Sequence, residues 1–201
     1  MNRLLLGSRN SGKIAEIEDL LGDIPGLDLV TFVDCPFTEV EETGETFLEN
    51  ALLKADTIAK ETGLAVLAED AGLEVFSLGG APGVYSARFS GLPVDYGRNN
   101  DLLLGRLVAA EDRRARFVAV VALRLPTGEV FVTTGVLPGA IAEAPAGRGG
   151  FGYDPLFVPA GDSRTLAEMS LFEKNRISHR MQAIRRMRGI LRDLVKPDVF
   201  S

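Results

Sequence analysis

The chain alternates short apolar runs with segments whose apolar residues recur every three or four positions. Leu4–Leu6 is an apolar run that ends at Gly7, the pattern of a buried strand feeding a turn. Ile14, Ile17, Leu20 and Leu21 then follow helical spacing over 12–21, and Gly22 supplies the stop. Residues 27–33 predict a second strand and 39–44 an acidic loop. Phe47, Ala51, Ala55 and Ile58 mark an amphipathic helix that opens on a Thr46/Glu49 capping box and closes at Gly63. Residues 64–67 predict a strand that runs into a Glu69-Asp70-Ala71-Gly72 turn, with 73–78 resuming as a strand. A helix is predicted over 102–108. Two β-rich runs, 117–125 and 129–136, flank Pro126-Thr127-Gly128 as a hairpin. One long final helix is predicted from the Ser170/Glu173 capping box to Leu194, with Ile177, Met181, Ile184, Leu191 and Leu194 as its apolar stripe. Arg185, Arg186, Arg188 and Arg192 read as its solvated face.

Strand–loop–helix units beside a hairpin indicate an α/β protein with a mixed sheet. The chain has 201 residues, enough for one domain with a sizeable core, and shows neither a repeat nor a linker. Its net charge of -6 argues against a protein that grips long nucleic acid, although a few local cations suffice for a small anionic ligand. Cys35, the lone cysteine, excludes an internal disulfide and reads as a small packing residue. With no signal-peptide core and no apolar stretch of about 20 residues, the expected location is the cytoplasm, away from membranes.

Four clusters carry candidate chemistry. Gly7-Ser8-Arg9-Asn10-Ser11-Gly12-Lys13 fits most of a P-loop, with backbone N–H groups and a lysine at a helix start. Ile14 stands where a P-loop needs a magnesium-binding hydroxyl, so a P-loop kinase or GTPase is disfavoured. An ordinary capped helix start remains an equal reading. Glu41, Glu42, Glu45, Glu69 and Asp70 offer oxygen ligands for a hard cation. Taken alone the Glu41 group reads as a solvated loop, but Asp70 after a buried strand is a poor packing choice without a purpose. Gly149-Gly150-Phe151-Gly152-Tyr153-Asp154 offers close backbone approach and an aromatic face, or else a turn with buried rings. Lys174, Ser178, His179 and Arg180 supply donors suited to an anion or a purine edge. Together the four describe a nucleotide site; a non-catalytic nucleotide-binding regulator is the rival reading.

In order and joint presence these segments, with Glu41-Glu42-Thr43-Gly44, Glu49-Asn50-Ala51, Lys54-Ala55 and the run from Leu78 to Arg88, resemble the inosine triphosphate pyrophosphatase family from Leu5 to about Ile184. The resemblance implies an elongated two-lobed mixed-sheet α/β fold with flanking helices and an active-site cleft between lobes, the lobes forming one domain over 1–201. It implies hydrolysis of deaminated purine nucleoside triphosphates (ITP, dITP, XTP) to monophosphate and pyrophosphate, a Mg2+ cofactor and a homodimer. Ser8, Arg9, Asn10, Ser11, Gly12 and Lys13 would hold the triphosphate, with Lys54 adding a phosphate contact or supporting the metal carboxylates. Glu41 and Asp70 would hold the metal, and Asp70 would also activate water. Phe151 would stack on the base, with Gly152, Tyr153, Asp154, Lys174, His179 and Arg180 around base and sugar. Many members carry two aspartates and a serine where this chain has Glu69, Asp70 and Ala71, so substrate contact at Ala71 survives only through its main chain.

Overall fold

The computed structural model of the chain describes residues 2–195. Leu4, Leu5 and Leu6 are fully buried in β1 (Arg3–Leu6), which lies between β2 (Asp28–Val30) and β3 (Ala65–Val75) and is parallel to both. The full sheet runs β2-β1-β3-β4-β5-β6, with β4 (Arg114–Arg124), β5 (Val130–Ile141) and β6 (Phe157–Pro159), the last antiparallel to β5. The helices are α1 (Ser11–Leu21), α2 (Phe47–Thr62), α3 (Tyr96–Arg106), α4 (Leu171–Ile177) and α5 (His179–Leu194). The architecture is thus a mixed α/β fold.

The chain forms two compact units. The first comprises the chain through Asp70, Ala119–Gly135 and the chain from Arg180; the second comprises Ala71–Val118 and Val136–His179. Each has its own core. In the first, Leu5, Val30, Phe37, Ile58 and Val66 pack together, with Cys35 against them as a small half-buried filler. In the second, Leu73, Leu103, Leu107, Phe117, Leu137, Leu156 and Phe157 form the centre.

Caps set most helix ends. Asn10 accepts from the Lys13 N–H at the start of α1, the Thr46/Glu49 box opens α2, and Gly63 closes it in the left-handed region at φ 70°. Five expectations need correction. The second strand stops at Val30, because Asp34 accepts from both the N–H and the hydroxyl of Thr31 and bends the chain. The Glu69-Asp70-Ala71-Gly72 turn is instead the middle of one continuous strand, β3, and 76–78 is a 3-10 turn. There sheet pairing overrides the local turn preference. The helix predicted over 102–108 starts earlier, at Tyr96, where the Asp95 side chain caps the Arg98 N–H, and it ends at Arg106. The last helix is two: Ser178 takes an extended ψ of 142°, so α4 ends and α5 begins anew. Of the arginines read as a solvated face, Arg185, Arg186 and Arg192 are exposed, but Arg188 binds Asp23 and the Leu20 carbonyl. Among the described residues no helix is long and apolar enough to cross a membrane.

Candidate active site

In the first unit, Gly7 leaves β1 where a Cβ would lie 3.1–3.3 Å from Val66, Ile58 and Ala68, so only glycine fits without displacing the core. The chain then turns sharply. The Ser8 hydroxyl accepts from the Asn10 N–H, and Asn10 caps α1 through the Lys13 N–H. The N–H groups of Ser11 and Gly12 fall in the first helical turn, where the helix itself offers no acceptor. With the half-buried Lys13 they form an anion-facing helix start. Arg9 is directed elsewhere: its guanidinium bonds the Phe37 carbonyl, pairs with Glu39 and lies 4.5 Å from the centre of the Phe32 ring.

Asp70 is 6 % exposed on β3. One oxygen accepts from the Asn50 amide at 3.2 Å and the other from the Lys54 ammonium at 3.1 Å. Asn50 and Lys54 are four residues apart on α2 and share a face. The same ammonium lies 2.5 Å from Glu42, and the Asn50 amide oxygen accepts from the Gly44 N–H. Thus α2 fastens the acidic loop to β3. Burial pushes the Asp70 carboxyl above the usual aspartate range; Lys54 pulls against it and Glu42 adds to it. Burial works to lower the Lys54 value, but Asp70 and Glu42 together outweigh it, so the amine stays charged.

Beside Asp70, Glu69 makes a different contact. The Arg180 Nε donates to both Glu69 oxygens at 2.9 and 2.8 Å, and its Nη1 donates to Glu16 on α1 at 2.7 Å. Burial opposes the Arg180 charge, but these two carboxylates more than restore it.

In the second unit, Gly150 and Gly152 adopt φ of 72° and 64°, either side of the half-exposed Phe151. The Asp154 carboxylate accepts from the Phe151 N–H at 2.9 Å and from Lys174 at 2.5 Å. Lys174 also lies 5.1 Å from the Phe151 ring centre. Tyr153 is buried, and its hydroxyl donates to the Ser86 carbonyl. His179 stacks on Phe117 at 4.8 Å between ring centres, with an 8° angle between planes.

The chain thus offers a glycine-led turn into the start of α1, a buried carboxylate held by an amide and a lysine, and an aromatic between two positive-φ glycines. The sequence model of the Ham1 family matches residues 4–190. The chain belongs to the Ham1 family. It is similar to proteins named dITP/XTP pyrophosphatase from Streptomyces coelicolor (48 % identical over 97 % of this chain and 100 % of that one) and Thermus thermophilus (48 %, 99 % and 96 %). Among solved structures, a HAM1 protein from Coxiella burnetii superposes with a TM-score of 0.90 at 40 % identity, covering 96 % of this chain and all of the other. A structure described as a nucleoside-triphosphatase / dITP/XTP pyrophosphatase from Mycobacterium abscessus gives 0.80 at 45 % identity, covering 94 % and 99 %.

Within this Ham1 chain the structure brings Asp70, Lys54 and the acidic loop together, and it does so through Glu42, one of the candidate oxygen ligands, and Asn50, to which no role was assigned. Glu42, rather than the exposed Glu41, shares the lysine with Asp70. The signal for Asn50 was a polar amide on the buried face of an amphipathic helix. Tyr153 and Asp154 support the Phe151 loop from beneath, and Ala71 is half-buried directly after Asp70. Among the described residues no three His, Cys, Asp or Glu side chains gather as a ready-made metal cage. Magnesium does not need one, since it takes one or two carboxylates and leaves positions for water and phosphate. The donors fit it: Glu42 and Asp70 put two negative charges against the single charge of Lys54.

Proposed function

We propose that this chain hydrolyses the triphosphates of deaminated purines, ITP, dITP and XTP, to the nucleoside monophosphate and pyrophosphate, clearing them from the nucleotide pool. One observation carries the reading: a buried Asp70, oriented by Asn50 and Lys54, in the same unit as the anion-facing start of α1. The names of relatives similar along almost the whole chain support the substrate class.

In this reading Ser8, Asn10, Lys13 and the N–H groups of Ser11 and Gly12 bind the triphosphate, and Lys54 stiffens the carboxylate pair. Arg9 steadies the loop from outside through Phe32 and Phe37. Asp70 with Glu41 or Glu42 of the acidic loop would hold Mg2+, which when bound would neutralise charge on the phosphate oxygens. Asp70 takes a proton from water as its oxygen bonds the α-phosphorus. The bond from that phosphorus to the bridging oxygen breaks, and pyrophosphate leaves with the electron pair. A carboxyl raised by burial is a stronger proton acceptor than a solvated one, which suits this role. Lys13 and the loop N–H groups stand ready for charge that builds on the phosphates, without needing to reorganise.

Phe151 stacks on the base. Gly152, Tyr153, Asp154 and Lys174 shape its surroundings, Ala71 offers its main chain, and His179 and Arg180 donate to the 6-oxo group that distinguishes hypoxanthine and xanthine from adenine. Glu69 and Glu16 fix the guanidinium for that task. A site built to donate there leaves adenine unmatched, and such mismatch discriminates by about 10⁴-fold or more. The enzyme is expected to work as a cytoplasmic homodimer.

The test is pyrophosphate release from ITP, XTP, GTP and ATP, with and without EDTA. Release confined to ITP and XTP and abolished by EDTA is expected. Equal kcat/KM across the four, or a diphosphate product, would refute the reading.

A further inference from the structure

The Phe151 loop is held from beneath by Asp154 and Tyr153, but a third element also grips it. Helix α3 places Tyr96 and Asn100 four residues apart, on one face. The Tyr96 ring lies 6.2 Å from the Phe151 ring, tilted by 47°. One turn on, the Asn100 amide donates to the Gly152 carbonyl at 3.1 Å. A single helical face therefore holds the ring of Phe151 and the backbone just after it. Gly152, at φ 64°, would otherwise leave that backbone with wide conformational freedom.

Tyr96 stands at 40 % exposure and Phe151 at 44 %, so two aromatic rings in contact both remain accessible. Aromatic rings that close are normally buried for the area they cover. Tyr96 is also the first residue of α3, and the Asp95 cap fixes its backbone. The ring is therefore carried on a rigid mount rather than on a loop tip.

We infer that Tyr96 is a specificity-determining residue, a second aromatic beside Phe151 that widens the platform to the span of a two-ring purine, with Asn100 as its positioning partner. This rests on the reading of Phe151 as the base platform. The tilted Tyr96 ring continues the apolar surface beside Phe151. A purine stacked on Phe151 has a second ring to reach Tyr96, whereas a single-ring pyrimidine meets Phe151 alone. Tyr96 lies outside the anion loop and the Asp70 cluster, so it acts on base affinity and leaves the chemical step alone.

The experiment compares Tyr96→Ala, Tyr96→Phe, Asn100→Ala and Phe151→Ala, using ITP turnover and inhibition by inorganic tripolyphosphate, which carries no base. For Tyr96→Ala the KM for ITP should rise about threefold to tenfold, the range of an aromatic pair. Its kcat should stay within about twofold and its tripolyphosphate Ki should not move. Tyr96→Phe, which keeps the ring, should match the parent enzyme. Asn100→Ala should raise KM in the same direction, and restoring the amide with Asn100→Gln should recover part of it. An unchanged ITP KM in Tyr96→Ala would overturn the inference. So would a tripolyphosphate Ki that rises in step with KM, because that marks general damage. If Phe151→Ala raises KM and Tyr96→Ala does not, only this inference fails. If Phe151→Ala is itself silent, the base-platform reading fails and takes the inference with it. Tyr96 is exposed enough for its variants to fold, and thermal melting of each variant checks this.

Discussion

Replacing Arg180 by methionine tests the buried ion network directly. The Arg180 side chain is 7 % exposed and faces Glu69 at 5 % and Glu16 at 17 %. Three donor contacts of 2.7–2.9 Å hold it. Methionine keeps much of the volume and removes both the charge and the donors. Glu69 then remains buried without its counter-charge, while Glu16, at the better-solvated end, turns to water. Breaking a buried pair from one side costs about 3–5 kcal/mol. In a chain of this size each kcal/mol shifts Tm by about 2–4 °C, so the variant should melt roughly 6–20 °C lower.

A second substitution should compensate the first. Arg180→Met with Glu69→Gln leaves no uncompensated buried charge, and replacing whole ion pairs is often close to neutral. The double variant should therefore recover more than about half of the single loss. Urea denaturation with matched m-values provides the free energies, and the experiment is repeated at raised salt, where a buried network is screened little. A single variant within about 1 kcal/mol of the parent would show that water already solvates these carboxylates, and the buried-network argument would fall.

Asp70→Asn should cut ITP turnover by about 10²–10⁴-fold, the usual share of a general base, while raising the Tm of the metal-free protein. The folded-state value of Asp70 is raised, so its favourable contribution is present below the unfolded aspartate pKa and lost as pH rises through the folded value; at neutral pH the charge is a cost that asparagine removes. A lower Tm in calorimetry would contradict this. Gly150→Ala places a Cβ 1.9 Å from an Asp154 oxygen at a φ of 72°, which should cost about 1–2 kcal/mol for the backbone alone and raise the ITP KM; unchanged stability and KM would refute the hinge role. Glu173 is held down to about 2 by the Ser170 N–H and hydroxyl and then by Arg164, so its support of α4 is complete above the unfolded glutamate value near ~4.3 and disappears as pH falls through about 2. NMR titration of the Glu173 carboxyl, with α4 amide exchange alongside, reads this; a midpoint near ~4.3 would exclude it.

What could be read from the sequence was local. The caps at Asn10, Thr46, Ser170 and Gly63 sit next to the helices they bound, so residue type and spacing reveal them. Helix α3 was half-missed because its first turn, Tyr96-Gly97-Arg98-Asn99, has no apolar stripe and its start depends on Asp95 alone. The acidic turn that proved to be strand was mistaken for a different reason. Glu69-Asp70-Ala71-Gly72 has turn composition, but the sheet pairs it on through Val75, and the polar groups are satisfied by side chains distant in sequence. Asp70 meets Asn50 and Lys54 across 20 and 16 residues, and Glu69 meets Arg180 across 111.

That separation explains why the two acidic neighbours on β3 have such different surroundings. Adjacent strand residues point to opposite faces. Asp70 therefore joins the α2 face, where an amide and a lysine hold it, and Glu69 joins the α1–α5 face, where an arginine neutralises it. The pair looks like a double metal ligand in one dimension. In three dimensions the pleat splits it into a carboxylate on the Lys54 side, the one proposed to react, and one that anchors Arg180. The longer glutamate arm at position 69 reaches the Arg180 guanidinium, which its head group binds through both oxygens. Shortening it in Glu69→Asp should pull the carboxylate away from Arg180 and cost stability, with the affinity of the free enzyme for Mn2+ unchanged by calorimetry. A weaker Mn2+ affinity with unchanged stability would instead make Glu69 a metal ligand and reverse this division of labour.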